Sequence, residues 1–360
     1  MLGAMRVLFA TDHIHIPQGG GGGERNTHEL CLALRQRAMT PAVMCSLSAD
    51  HTWLSWSNRL RRVMPPRHRF PRDTSCGYSV YRGWSKNAVP EVVARFRPDF
   101  VVVQSTYPAA LVDAFASCHV PVAAYFHEVA EIDHLTSLVN QPVKILANSP
   151  FTALRLQDRC GLSAAVILPL IDPAQYVTTV RPERVLFVNT VPRKGVEVAF
   201  ALAKARPDIQ FDFVQSWILD ADQVEQLRQR VKRAGNIELH PPVQDMRSLY
   251  ARARLVLAPS QWEETWGRVA TEAHINGIPV LGSDRGGLPQ AIGPGGVVVP
   301  ADAPTGEWAD ALSRLWDETK LYTAVSEAAH AYAKRPEIQP QAIVANFCSI
   351  LAELTGRGAA

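Results

Sequence analysis

The sequence predicts an α/β protein of two doubly wound, Rossmann-like domains. Three observations predict it. Short β-branched runs alternate with longer helical patterns along nearly the whole chain, the mark of parallel sheets. The series restarts after a Pro-bearing stretch, PLIDPAQYVTTVRPE at 169–183. The length of 360 residues, 47% of them apolar, is enough for two cores of ordinary size.

Taken in order, strands are expected at about 7–10, 42–46, 100–104, 122–126 and 145–148, which with their helices make a first domain over 1–168. Residues 51–90, rich in Trp, Arg and Pro, break the rhythm and predict an irregular insertion of short helices and loops. Residues 169–182 read as a linker. Strands at about 185–188, 211–214, 237–239, 255–258, 280–283 and 297–299 then build a second domain over 183–335. An apolar-periodic helix at about 339–354 either caps the second domain or crosses back; the division adopted places 338–360 with the first.

Composition narrows the function. A formal charge of +3 gives no global case for nucleic acid. Cys31, Cys45, Cys76, Cys118, Cys160 and Cys348 lack metal-ligand spacing and read as buried thiols in a reducing compartment. The N-terminus, MLGAMRVLFATD, has no signal-peptide pattern and no window reaches a membrane span, so a cytosolic protein is expected.

Ligands of open parallel sheets bind beyond the strand C-terminal ends, so residues just after strands carry the chemistry. After the first strand, residues 19–23 are five glycines expected to precede a helix, so Gly22 and Gly23 would bring backbone amides to an anion or a sugar hydroxyl. The alternative is a merely flexible loop, and the run lacks the GxGxxG spacing of a nicotinamide site. After the fourth strand, His127 and Glu128 stand where an imidazole could bond a hydroxyl or phosphate, with Glu128 weighed as a surface acid. Asn148 or Ser149 reads first as a helix cap.

The second domain carries stronger signals. Arg193 and Lys194 lie on a loop entering a helix near Gly195 or Val196, which suits a diphosphate. In SQWEETWGRVATEAHINGIPVLGSDRGGLP, Glu264 on a loop and Glu272 one turn inside a helix from about 268 to 276 can face one pocket. The amides around Gly267, Arg268 and Val269 would receive a phosphate, and the carboxylates would accept paired hydroxyls.

These residues resemble the retaining glycosyltransferases of family 4, the glycosyl group 1 transferases, over nearly the whole chain. Glu264 and Glu272 match the family's E-x7-E motif, followed by Gly277, Ile278, Pro279, Val280 and by Gly286, Gly287, Leu288, Pro289. The resemblance implies a GT-B architecture, two Rossmann-like domains facing a central cleft. It implies Glu264 on the donor sugar, Glu272 on the ribose, the amides near Gly267 on the distal phosphate, and Lys194 on the diphosphate. Asn189, Arg193, Thr265, Trp266, Gly267, Arg268 and Val269 join the donor-binding set, with Gly22 and Gly23 of a GG-x-E loop. His127 matches the histidine beside the transferred sugar. The catalytic set is then His127, Lys194, Arg193 and Glu264. Where the family reads G-R-x-x-x-x-K-G, this chain has Val188, Asn189 and then Lys194, Gly195. Either Arg193 supplies the missing charge or the diphosphate is held with one cation fewer.

The resemblance further implies transfer with retention, the leaving diphosphate accepting the acceptor's proton. No cofactor and no metal are expected, because no DxD-type pair is seen. The expected partners are a nucleotide-sugar donor and a glycan, lipid-linked or small-molecule acceptor. The stretch RLRRVMPPRHRF at 59–70, with flanking Trp53, Trp56 and Trp84, is a solvated loop, an anionic or membrane surface, or a nucleic-acid patch. Rival readings are a nucleotide-sugar epimerase, a phosphorylase, or a non-catalytic nucleotide-sugar-binding subunit.

Overall fold

The computed structural model describes residues 5–50, 52–65, 67–83, 88–217 and 219–356; Trp84 lies outside them. The chain forms two compact units, Met1–Leu170 with Pro340–Ala360, and Ile171–Gln339.

The first unit runs β1 (Arg6–Ile14), α1 (Gly22–Gln36), β2 (Thr40–Ser46), α2 (Trp53–Val63), β3 (Arg72–Asp73), β4 (Ser79–Gly83), α3 (Val89–Phe96), β5 (Phe100–Val103), α4 (Ala109–Ala116), β6 (Val122–Phe126), β7 (Val143–Ala147), α5 (Pro150–Cys160) and β8 (Ala165–Val166). Among the described residues its sheet has the order β3-β4-β2-β1-β5-β6-β7-β8, parallel except for the β3–β4 pair. Strands covered on both faces are nearly continuous apolar runs, because successive side chains enter opposite layers. Leu8, Ala10, Val101 and Val103 join one core with α3 and α4. Val7, Phe9, Phe100 and Val102 join the other with α1 and the last helix, α13 (Pro340–Thr355). Phe347 of α13 stacks on Phe9 at 6.0 Å.

The second unit continues with β9 (Arg184–Val188), α6 (Val196–Ala205), β10 (Gln210–Val214), α7 (Ala221–Ala234), β11 (Ile237–His240), α8 (Arg247–Tyr250), β12 (Ala253–Ala258), α9 (Arg268–Ile275), β13 (Val280–Ser283), α10 (Leu288–Ile292), β14 (Gly296–Val299), α11 (Thr305–Asp317) and α12 (Thr319–Tyr332). The sheet order is β11-β10-β9-β12-β13-β14, with all pairs parallel. Its core packs Phe187, Phe211, Phe213 and Leu257 against Leu202 and Trp308.

Three expectations need correction. The described part of residues 51–90 is more regular than expected: Thr52 caps an eleven-residue α2, and β4 pairs in parallel with β2. The strand was hidden by Arg82, a charge inside an apolar pattern. Arg82 is fully buried and satisfied by Asp73 Oδ2 at 2.9 Å and by the carbonyls of His15 and Ile16 at 3.0 and 2.6 Å. Residues 171–182 are not a free linker but belong to the second unit. There the Thr178 amide donates to Asn276 Oδ1 at 2.8 Å, and the Arg181 amide to Ala251 O at 2.6 Å. Gly22 and Gly23 do not precede α1 but form its first turn, because Gly21, in extended conformation, already caps it.

Ser149 caps α5, accepting from the Thr152 amide at 3.0 Å, and Asn148 accepts from the Thr152 hydroxyl. The six cysteines are unbridged and all but Cys118 are buried. No described helix is long and apolar enough to cross a membrane.

Candidate functional site

In the second unit the strand order reverses direction between β9 and β12, which lie side by side although β10 and β11 intervene in sequence. At such a switch point the loops leaving neighbouring strands diverge and leave a crevice above the sheet edge. Lys194 leaves β9 and Glu264 leaves β12, and their side chains meet there in an ion pair. Ser260 Oγ donates to the same carboxylate at 2.5 Å. Trp217, beyond β10, and Trp262 meet edge to face at 6.3 Å, with the Lys194 ammonium 5.4 and 5.8 Å from their rings. Two aromatic faces reinforce a cation held in place by one carboxylate.

The backbone holds this geometry tightly. Gly195 ends the Lys194 turn at φ 80°, where an added Cβ would meet the Pro259 backbone. Glu264 pairs in a parallel bridge with Gly286, and its carbonyl accepts from the Gly287 amide at 2.6 Å. Gly267, at φ 92°, turns the chain into α9; a Cβ there would lie 2.6 Å from Leu288 Cδ1. The first turn of α9, which begins at Arg268 and Val269, is a positive helix end that suits an anion. Between these anchors Thr265 is half-buried, and Trp266 is buried with its indole N–H donating to Thr271 Oγ1 at 3.1 Å.

Glu272 sits one turn inside α9. It accepts from the Tyr250 hydroxyl at 2.9 Å, and Arg268 lies 3.4 Å from it. Burial, and next the Glu272 carboxylate, push the Tyr250 hydroxyl well above its usual range, so it remains a donor. Arg268 also donates to Tyr176 Oη at 3.2 Å.

Asn189 follows β9 at φ 75°, a left-handed conformation that asparagine tolerates. It is buried, and its Oδ1 accepts from the Trp217 amide at 3.4 Å. Its side chain therefore braces the loop after β10. Arg193 is exposed, its guanidinium 5.4 Å from the Trp262 ring, while its carbonyl accepts from the Gln261 amide at 2.9 Å.

In the first unit the reversal falls between β1 and β5. His127 follows β6, and Gln104, just beyond β5, bonds its Nε2 at 3.0 Å. Thr27 Oγ1 donates to Gln104 Oε1 at 2.7 Å, and a Cβ on Gly23 would come within 3.9 Å of the His127 ring. The glycine turn, Thr27, Gln104 and His127 thus form one cluster, while Glu128 is exposed.

Two groups of metal-ligand type occur among the described residues. His15, His28 and Cys76 converge, but both imidazoles bond the Tyr78 hydroxyl at 2.9 Å beside buried Arg82. Asp212, Glu238 and His240 converge, but Arg184 and Arg252 reach the Asp212 carboxylate at 3.0 and 2.8 Å. A guanidinium beside each group disfavours a cation there.

Ser260, Trp217, Trp262, Tyr250 and Gln104 were not singled out from sequence. Trp217 and Gln104 carried a signal, their place just beyond strands; Tyr250, inside a short helix, carried none.

A family model described as Glycosyltransferase Family 4 matches residues 20–175, and one described as Glycosyl transferases group 1 matches residues 182–318. A D-inositol 3-phosphate glycosyltransferase of Paenarthrobacter aurescens (strain TC1) is 29% identical over 224 residues, 55% of this chain and 54% of that protein. The corresponding protein of Arthrobacter sp. (strain FB24) is 27% identical over 55% of this chain and 53% of its own length. The chain thus spans about half the length of these curated relatives. Among solved structures, HepE of Anabaena in complex with UDP-glucose superposes with a TM-score of 0.73 at 20% identity, covering 97% of this chain and 100% of that one. Sucrose-phosphate synthase of Thermosynechococcus elongatus gives 0.78 at 13% identity over 98% and 99%. With family matches on both of its units and GT-B neighbours over nearly its full length, the chain belongs to the group 1, family 4 glycosyltransferases.

Proposed function

We propose that the chain is a metal-independent, retaining glycosyltransferase that moves a sugar from a nucleotide diphosphate to a glycan, lipid-linked or small-molecule acceptor. The observation that carries this reading is the meeting of Lys194, Glu264 and the α9 N-terminus at the switch point of the second unit. In the free protein the two charges neutralise each other. A bound diphosphate competes for Lys194, releasing Glu264 to accept hydroxyls of the donor sugar while the α9 amides take the distal phosphate. Glu272, oriented by Tyr250, takes the ribose, and Thr265 and Trp266 line the turn between them. The crystallised complexes of HepE with UDP and with UDP-glucose support a nucleoside diphosphate in this role.

In the reaction the bond from the anomeric carbon to the β-phosphate oxygen breaks, and the acceptor oxygen bonds the same face. The acceptor's proton passes to the departing phosphate. Lys194, with Arg193 as the second cation in place of the family's arginine, stabilises the growing negative charge. His127, held by Gln104, positions the sugar. No step calls for a cofactor. Membrane contact through residues 59–70 belongs to the same proposal.

Thermal unfolding with UDP, GDP, ADP and dTDP and their sugar conjugates, each with and without excess EDTA, tests the donor site. A ligand at 100 times its Kd adds about 2.7 kcal/mol, so one nucleotide should raise the midpoint clearly. No shift with any of them, in folded protein, would remove the donor assignment; a shift abolished by EDTA would remove the metal-free mechanism.

A further inference from the structure

Helix α2 is turned inside out. A surface helix normally buries its apolar stripe and exposes its polar face. Here the buried residues are Ser55 and Asn58. Ser55 Oγ donates to Ser48 O at 3.2 Å, and Asn58 Nδ2 donates to Asp73 Oδ2 at 3.4 Å. The outward stripe is Trp53, Trp56, Leu60 and Val63, continued by Met64, with exposures from 84% at Trp53 to 53% at Met64. Among the described residues eleven large hydrophobics are exposed, and these five occupy one stretch of twelve residues. Trp53, Trp56, Leu60 and Met64 also wall a groove of about 790 Å³ closed by Pro65 and Pro71. An apolar patch of this kind marks a contact surface.

Charge identifies the contact. Residues 51–72 contain six arginines and no carboxylate, so of the chain's formal +3 this segment holds +6 and the remainder −3. Arg59, Arg61 and Arg67 donate to the carbonyls of Ala49, Arg72 and Val63, partners that anchor a guanidinium without cancelling its charge. A two-fold contact with a second copy would set these six like charges against their own image. Nucleic acid would leave the apolar stripe in water. A surface with anionic headgroups over an apolar interior satisfies both features, and tryptophan is suited to that boundary.

We propose that α2 and its arginine-rich flank dock the first unit onto an anionic phospholipid bilayer, α2 lying in the headgroup plane. Trp53, Trp56, Leu60 and Val63 enter the acyl boundary, and Arg59, Arg61, Arg67 and Arg69 meet lipid phosphates. The contact rests on the membrane reading given with the proposed function, but it needs neither donor nor acceptor, so its failure leaves the glycosyl transfer untouched.

The test is co-sedimentation of the full chain with vesicles of phosphatidylcholine, alone or mixed with phosphatidylglycerol, at low and high salt. Wild type should bind the mixed vesicles about tenfold or more tightly than the neutral ones and be released by salt. Trp56→Ser/Leu60→Ser should weaken binding about tenfold or more, and Arg67→Glu/Arg69→Glu should abolish the preference for anionic lipid. Both variants alter exposed positions; an unchanged circular dichroism spectrum and thermal midpoint would show that they fold. Wild type left in the supernatant at low salt overturns the proposal, as does a folded apolar-stripe variant that binds equally well. A dimer abolished by Trp56→Ser/Leu60→Ser, with no vesicle binding, would instead assign the stripe to a second copy.

Discussion

Among the described residues the charge of Lys194 has one carboxylate partner and two indole neighbours, all near the end of β9. Lys194→Ala removes the cation proposed to face the leaving phosphate, so turnover should fall ~100-fold or more. The fold should survive, because the side chain lies on a loop and Glu264 keeps its Ser260 hydrogen bond. Steady-state kinetics beside a melting curve checks both parts, and near-wild-type turnover would sink the role. Asn189 shows how one position can answer a structural demand in place of an electrostatic one. A φ of 75° is costly for most side chains, whereas asparagine adopts it readily and can bond nearby backbone, here the Trp217 amide.

At the scale of elements, the loop from Glu264 to Gly267 is held by glycines chosen for close approach. Gly267→Ala would impose a side chain at φ 92° and bring its Cβ 2.6 Å from Leu288 Cδ1. The expected cost is roughly 1–3 kcal/mol, read as a lower denaturant midpoint. Gly20→Ala is the control, since nothing lies within 4 Å of its added Cβ. Equal midpoints for both variants would show that the α9 entry is not strained. Helix α2 is the opposite case: polar contacts hold it on the unit, and its apolar stripe adds nothing to the core.

For the whole molecule, acid should destabilise both units through buried neutral histidines. Burial chiefly lowers His15 to about 3, with Arg82 and His28 adding to the shift and Asp73 opposing it. Burial likewise lowers His274 to about 4, helped by Arg335 and opposed by its bond to Gly295 O. A histidine whose folded pKa is depressed contributes stability that is complete above its ordinary value near 6.5. That contribution is lost as pH falls below this value, because the unfolded chain binds the proton first. Melting temperature should therefore drop between about pH 6.5 and 4, and His274→Gln should start lower but decline less steeply. Parallel declines would exclude His274 as a contributor.

The α/β class, the positions of most strands and the motif that places Glu264 eight residues before Glu272 are legible in local sequence. Strand periodicity and helix capping are local, and β6 and β13 could be read directly from apolar runs. Contacts between distant segments depend on packing and are not legible locally. Arg82 makes sense within β4 only once Asp73 and two distant carbonyls surround it. Lys194 and Glu264, seventy residues apart, meet because β12 lies beside β9. Gln104 reaches His127 because β5 lies beside β6. The stripe of α2 became informative for the same reason: periodicity shows that a helix has an apolar face, and packing alone decides whether that face is covered.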